Sequence, residues 1–130
     1  MTTDHAGLER LRGVVISAAR EELLPRFARV ERGRKADGSI ITKADLVVQQ
    51  RIAAELLKHW PDTVFLGEEM SAAEQDALLH QDKPLWCLDP LDGTSNFAAG
   101  IPYFSVSLAL LEQGRVVTGI VYDPVRDECF

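Results

Sequence analysis

The chain has 130 residues, enough for one ordinary domain and too few for two. Hydrophobic residues make up 46% and charged residues 26%, a globular composition that excludes intrinsic disorder. With 14 basic and 20 acidic residues the net charge is -6, so the electrostatic footprint of a nucleic-acid binder is missing. An acidic excess serves solubility, and it also suits hard divalent cations, which need carboxylates. The longest apolar runs, Val14–Ile16 and Phe104–Leu111, fall well short of the roughly 20 residues that cross a bilayer. No signal-peptide pattern precedes them. Cys87 and Cys129 sit among apolar residues and read as reduced core thiols of a cytoplasmic protein.

Leu8, Leu11, Val15, Ala18, Ala19 and Leu23 recur at helical spacing, which predicts a first helix that runs to Leu24 and ends or kinks at Pro25. Glu31–Gly38 reads as a polar connection with an Asp37-Gly38 turn, and Ser39–Ile41 as a short strand. Thr42 then opens a second helix, with Thr42-x-x-Asp45 resembling a capping box and Leu46, Gln50, Ala53, Leu56 and Leu57 continuing at helical intervals. Trp60 and Pro61 close it.

Thr63–Leu66 reads as a strand ending at Gly67, Ser71–Leu79 as a capped helix, and Pro84–Leu88 as a strand ending at Asp89. Strict alternation over Phe104–Leu110, a Gln113-Gly114 turn and Val116–Tyr122 predict a hairpin. Asp127–Phe130 starts a further strand, whose apolar edge suggests a chain that continues.

Acidic residues gather at the ends of these elements. Glu68-Glu69 follows one strand, Asp89-Pro90-Leu91-Asp92-Gly93-Thr94 follows another, and Asp45 begins a helix. If the two strands are neighbours, Glu68, Asp89 and Asp92 converge, and so many carboxylates repel unless cations neutralise them. Oxygen ligands without His or Cys select Mg²⁺, Mn²⁺ or Ca²⁺ over zinc. Gly93 lets backbone approach closely, and a helix starting at Gly93–Ser95 aims N–H groups at an anion. Metal ligands beside a phosphate cradle suggest metal-assisted phosphoryl chemistry. Each feature also has a plainer reading. Glu68-Glu69 is solvated loop charge, Asp45 a helix cap, the Asp-x-x-Asp-Gly-Thr run a turn with a capped helix, and Lys35 and Lys43 are surface lysines. His5, His59 and His80 share no ligand spacing, and Trp60 and Trp86 read as core anchors.

Gly67-Glu68-Glu69 and Trp86-Cys87-Leu88-Asp89-Pro90-Leu91-Asp92-Gly93-Thr94-Ser95-Asn96-Phe97 together resemble the signature of the inositol monophosphatase family, and Asp37–Asp45 resembles its segment before the second helix. The resemblance implies an α/β (α+β) fold of the layered αβαβα sugar-phosphatase type with a largely antiparallel sheet. Residues 1–130 would form the N-terminal metal-binding domain, and an absent C-terminal half would supply a further Asp and most substrate contacts.

It also implies roles. Glu68, Asp89 and the Leu91 carbonyl would hold one Mg²⁺, Asp89 and Asp92 would share a second, and Glu69 would serve a third, weaker ion; Mn²⁺ is an alternative metal. Asp45 and Thr94 would orient and deprotonate the attacking water, and the N–H groups of Gly93, Thr94 and Ser95 would bind phosphate. The implied substrate is a small phosphomonoester such as an inositol or other polyol phosphate. Lithium sensitivity and a homodimer are further implications, with no nucleic acid or membrane partner. The isolated chain is expected to be inactive or very weak.

One rival is a haloacid-dehalogenase-like phosphatase, whose nucleophilic and acid Asp stand two apart; here Asp89 and Asp92 stand three apart. The other is a truncated paralogue that binds metal or a partner without catalysis.

Overall fold

The structure is a computed structural model that describes residues 4–31, 38–67 and 70–130, with side chains for 4–30, 43–67 and 70–130. Helix α1 spans His5–Glu22, and the Asp4 carboxylate caps it by accepting from the Gly7 N–H at 2.8 Å. Leu11, Val15, Ala18 and Ala19 form its buried stripe, as their spacing predicts. Leu8, at the start of the expected stripe, is exposed.

The helix does break ahead of Pro25, at Leu23, but it resumes at once as α2, Leu24–Glu31, with Pro25 in its first turn. Proline in a first turn costs no hydrogen bond, because that N–H has no helical acceptor. Phe27 and Val30 anchor α2, with the Phe27 ring 5.5 Å from Phe97 and 4.8 Å from Phe104.

Helix α3 runs from Gly38 to His59, so the expected strand at Ser39–Ile41 is helical and Thr42 lies inside the helix instead of capping it. The paired β-branched residues Ile40 and Ile41 suggest strand, yet Ile40 stands one helical step of four before Ala44. The stripe that packs is Ala44, Val48, Ile52 and Leu56. Of the expected stripe only Leu56 belongs to it; Leu46, Gln50 and Leu57 are exposed. A 22-residue helix with one buried face outweighs the local preference of two residues.

Strands β1 (Val64–Leu66), β2 (Leu85–Asp92), β3 (Ser105–Glu112), β4 (Arg115–Asp123) and β5 (Glu128–Cys129) form one sheet in that order. Only β1 and β2 are parallel, and α4 (Ala72–Leu79), capped by Ser71 as expected, connects them. Helix α5 (Thr94–Ala98) follows β2. The hairpin turn falls at Gln113-Gly114, both with positive φ (50° and 76°), the geometry that matches strand twist.

The core lies between one face of the sheet and α1 and α3. Trp86 is fully buried in it, donating from Nε1 to Thr63 Oγ1 at 2.9 Å with its ring 5.5 Å from Trp60. Trp86→Ala is expected to cost about 3–5 kcal/mol, read as a lower urea midpoint, because it opens a large cavity and strips Thr63 of a donor. At the far edge, Tyr122 donates its hydroxyl to Asp127 at 2.6 Å and Arg20 of α1 lies 3.7 Å from the same carboxylate, which ties the β4–β5 turn to α1. Cys87 and Cys129 are free thiols, half-buried instead of enclosed. Among the described residues no helix is long and apolar enough to cross a membrane.

Candidate active site

Strand β2 decides the geometry. Along a regular strand, residues three apart point to opposite faces. Asp89 and Asp92 are three apart, yet both are exposed while Pro90 and Leu91 between them are buried. The register with β3 explains this: Asp89 pairs with Ser107 and Asp92 with Ser105, so β2 carries one extra residue here. Pro90 has no N–H to give the ladder, which makes this the natural place for a bulge. The two acids consequently share an environment.

Burial holds the Asp89 carboxyl above the usual carboxylate range, the negative charge of Asp92 raises it further, and the Leu91 N–H donating to it pulls the other way. The fold therefore favours neutral Asp89. Its contribution to stability is complete below the ordinary Asp range near pH 4 and is lost as pH rises through the elevated value. In metal-free buffer, Asp89→Asn is expected to abolish this loss, so the stability of the wild type relative to the variant should fall as pH rises above the ordinary Asp range near 4 in urea titrations.

β2 ends in Gly93, at φ 95° and ψ 40° in the left-handed region. A Cβ there would stand 2.8 Å from the Tyr103 carbonyl oxygen, so the position needs glycine for space as well as conformation. The chain then turns straight into α5, placing the N–H groups of Thr94 and Ser95 in its first turn, where they have no helical acceptor. Thr94 and Ser95 are exposed, and Phe97 on the reverse side locks α5 into the core.

The condition set for the acidic clusters is met as far as the strands go: β1 and β2 are neighbours, with Leu66 opposite Cys87. Glu68 and Glu69, which follow Gly67, lie outside the described residues, as does Lys35. Gly67 is buried against α3, where an added Cβ would stand 3.3 Å from Gln49 Nε2. Asp45 precedes Gln49 by one helical turn on the same side of α3, and α3 packs on both β2 and α5. Asp45 is half-buried and stands two turns inside α3, which starts at Gly38, so it is not the cap that its spacing suggests.

A cleft of about 450 Å³ opens beside Asp89, lined by Leu66, Gln75, Cys87, Leu88, Ser107 and Ala109 as well. Burial pushes the Cys87 thiol up, so it is a poor nucleophile there. Ser107 and Gln49 are polar groups near the site that the sequence motifs do not include. The signal for Ser107 was present: Ser105 and Ser107 are the polar positions in the alternating run Phe104–Leu111.

Among the described residues no group of three or more His, Cys, Asp or Glu is placed to hold a metal ion. The donors that are described suit a hard cation nonetheless. The Asp92 charge adds to burial in raising the Asp89 carboxyl when no counter-charge is present, and the donor set is oxygen alone.

A mixed α/β architecture, with helices on one mostly antiparallel sheet and paired acids on a bulge before a glycine turn, has known counterparts. The model of the inositol monophosphatase family matches residues 5–130. The chain belongs to that family. It is 44% identical over 96 residues to the inositol-1-monophosphatase of Mesorhizobium japonicum, a match covering 74% of this chain and 35% of the relative. It is 36% identical over 130 residues to inositol monophosphatase 1 of Solanum lycopersicum, covering 97% of this chain and 47% of the relative. The crystal structure of the extragenic suppressor protein suhB from Bartonella henselae superposes with a TM-score of 0.74 at 30% identity, over 96% of this chain and 47% of that one. The chain thus spans less than half the length of these relatives.

Proposed function

We propose that this chain carries the metal-binding part of a Mg²⁺-dependent phosphomonoesterase acting on a small polyol or sugar phosphate. The observation that carries the reading is the bulge, which turns Asp89 and Asp92 to one exposed side directly before Gly93 and α5. Family membership supports the reaction class.

In this reading Glu68, Asp89 and the Leu91 carbonyl hold one ion, Asp89 and Asp92 share another, and Glu69 serves a weaker third. Bound divalent cations supply a lowered water pKa and charge to offset the phosphoryl oxygens. The chain's own groups do the rest. The N–H groups of Gly93, Thr94 and Ser95 receive the phosphate oxygens, and Gly93 keeps the approach open. Thr94 orients the attacking water through its hydroxyl, and Asp45 takes up the proton through it. Asp45 does so from mid-helix, held by the packing of Ala44 and Val48 on either side. Residues beyond this chain would complete the substrate contacts, so the 130-residue chain alone should turn over weakly or not at all. A cytoplasmic homodimer sensitive to lithium completes the proposal.

The test is phosphate release by the natural gene product from inositol 1-phosphate and a panel of phosphomonoesters, with and without Mg²⁺. Mg²⁺-dependent release supports the reading, and the panel names the substrate. No release from a well-folded product overturns it in favour of a non-catalytic metal- or partner-binding protein. Release unchanged at high lithium would remove that part of the proposal.

A further inference from the structure

The segment Ile101–Phe104 underlies the glycine turn, and something must hold it there. Its Tyr103 carbonyl accepts from Asn96 Nδ2 at 2.9 Å and closes on Gly93. The adjacent Pro102 carbonyl accepts from Arg126 Nη1 at 2.9 Å. The Arg126 guanidinium also lies 4.3 Å from the centroid of the Tyr103 ring, whose residue is otherwise 61% exposed. Arg126 is in turn fixed by Asp123, whose Oδ2 it meets at 2.9 Å, while Asp123 Oδ1 accepts from the N–H groups of Val125 and Arg126 at 3.0 Å. One planar side chain thus grips a carbonyl, an aromatic face and a carboxylate, which a lysine cannot do at once.

We infer that Arg126 is a positioning residue for the Asp89–Ser95 site: it holds Pro102 and Tyr103 in place, and their backbone sets the position of Gly93 and Asn96. The inference rests on the phosphomonoesterase reading. It assigns a role to the β4–β5 turn, which lies outside every motif of the site. A surface ion pair alone would add little, because exposed pairs are worth little. The grip on the Pro102 carbonyl is what links Arg126 to the turn, since a small displacement of backbone at a reacting centre is costly in rate.

The natural gene product is compared with its Arg126→Ala and Arg126→Lys variants by amide hydrogen exchange and by steady-state kinetics. In Arg126→Ala, exchange at residues 93–97 and 101–104 should rise about tenfold while α1 and α3 stay protected. Its kcat per folded molecule should fall roughly 10²-fold with KM little changed. Arg126→Lys, which keeps a cation for Asp123 and one donor, should recover part of both. If Arg126→Ala does not fold, Arg126→Met, which keeps the aliphatic stem and removes the donor to the Pro102 carbonyl, carries the same comparison. Unchanged exchange at 93–97 overturns the inference. So does raised exchange with unchanged kcat, which would make Arg126 a purely structural clamp. A wild type without phosphomonoesterase activity overturns the proposed reaction instead, and exchange alone then decides whether Arg126 holds the turn.

Discussion

Gly93→Ala is expected to lose both stability and activity, and to lose them for one reason. The residue sits at φ 95°, where a side chain is strained, and its Cβ would come within 2.8 Å of the Tyr103 carbonyl oxygen. The conformational part costs about 1–2 kcal/mol for a non-glycine residue. The contact adds to it, because the neighbour is backbone and not the far end of a flexible chain. Relief requires moving Tyr103 or rotating the Gly93 peptide, and either motion displaces the first turn of α5. Phosphate release should fall about 10²-fold or more, as for other misplacements at a reacting centre. Urea denaturation of the variant should show a lower midpoint with the slope unchanged. A variant of wild-type stability and activity would mean that the turn does not need its glycine.

Asp92→Asn should have the larger effect on rate and a smaller one on stability. The substitution keeps the shape and removes one negative charge from an exposed position. If a cation spans Asp89 and Asp92, several kcal/mol of charge stabilisation depends on that carboxylate, and Mg²⁺-dependent release should fall about 10³-fold. The same change removes the repulsion that raises the Asp89 carboxyl, so its titration should move down toward the ordinary range, as carboxyl NMR would show. Release that survives Asp92→Asn would place the chemistry on other residues.

The β hairpin, the capped α4, the buried stripe of α1 and the position of Trp86 were legible because each depends on local period or on one turn. Gln113-Gly114 takes the positive φ that a tight hairpin asks for, and Ser71 caps α4 by accepting from the Glu74 N–H at 3.1 Å. The elements misread are those decided at a distance. α2 exists because Phe27 reaches Phe97 and Phe104, and no window around Pro25 contains those partners. The packed side of α3 follows Ala44 and Val48 where the more apolar Leu46 and Leu57 invited the opposite choice.

At the site, the identity and order of the acids could be read, and so could the glycine turn. The convergence of Asp89 and Asp92 was an expectation, but the bulge that brings it about could not be read, because it depends on how β2 registers against a strand that starts twelve residues beyond Gly93. The grip of Arg126 on Pro102, separated by 24 positions, was hidden for the same reason.

The bulge in β2 makes the site a matter of parity. Asp89 and Asp92 sit on the same side because two residues of β2 stand between them where β3 has one. Deleting either Pro90 or Leu91 would leave every acidic residue in the chain and restore an unbroken ladder, and the shorter spacing would then satisfy the alternation of an ordinary strand. The buried filler between the acids would be halved, however, and the whole run from Gly93 to Phe97 would be pulled one step along the sheet, drawing Phe97 from its contacts with Phe27 and Phe104. Conversely, an inserted residue with the bulge kept would send Asp92 toward the core. Such a strand tolerates exchange of its letters more readily than any change in their number.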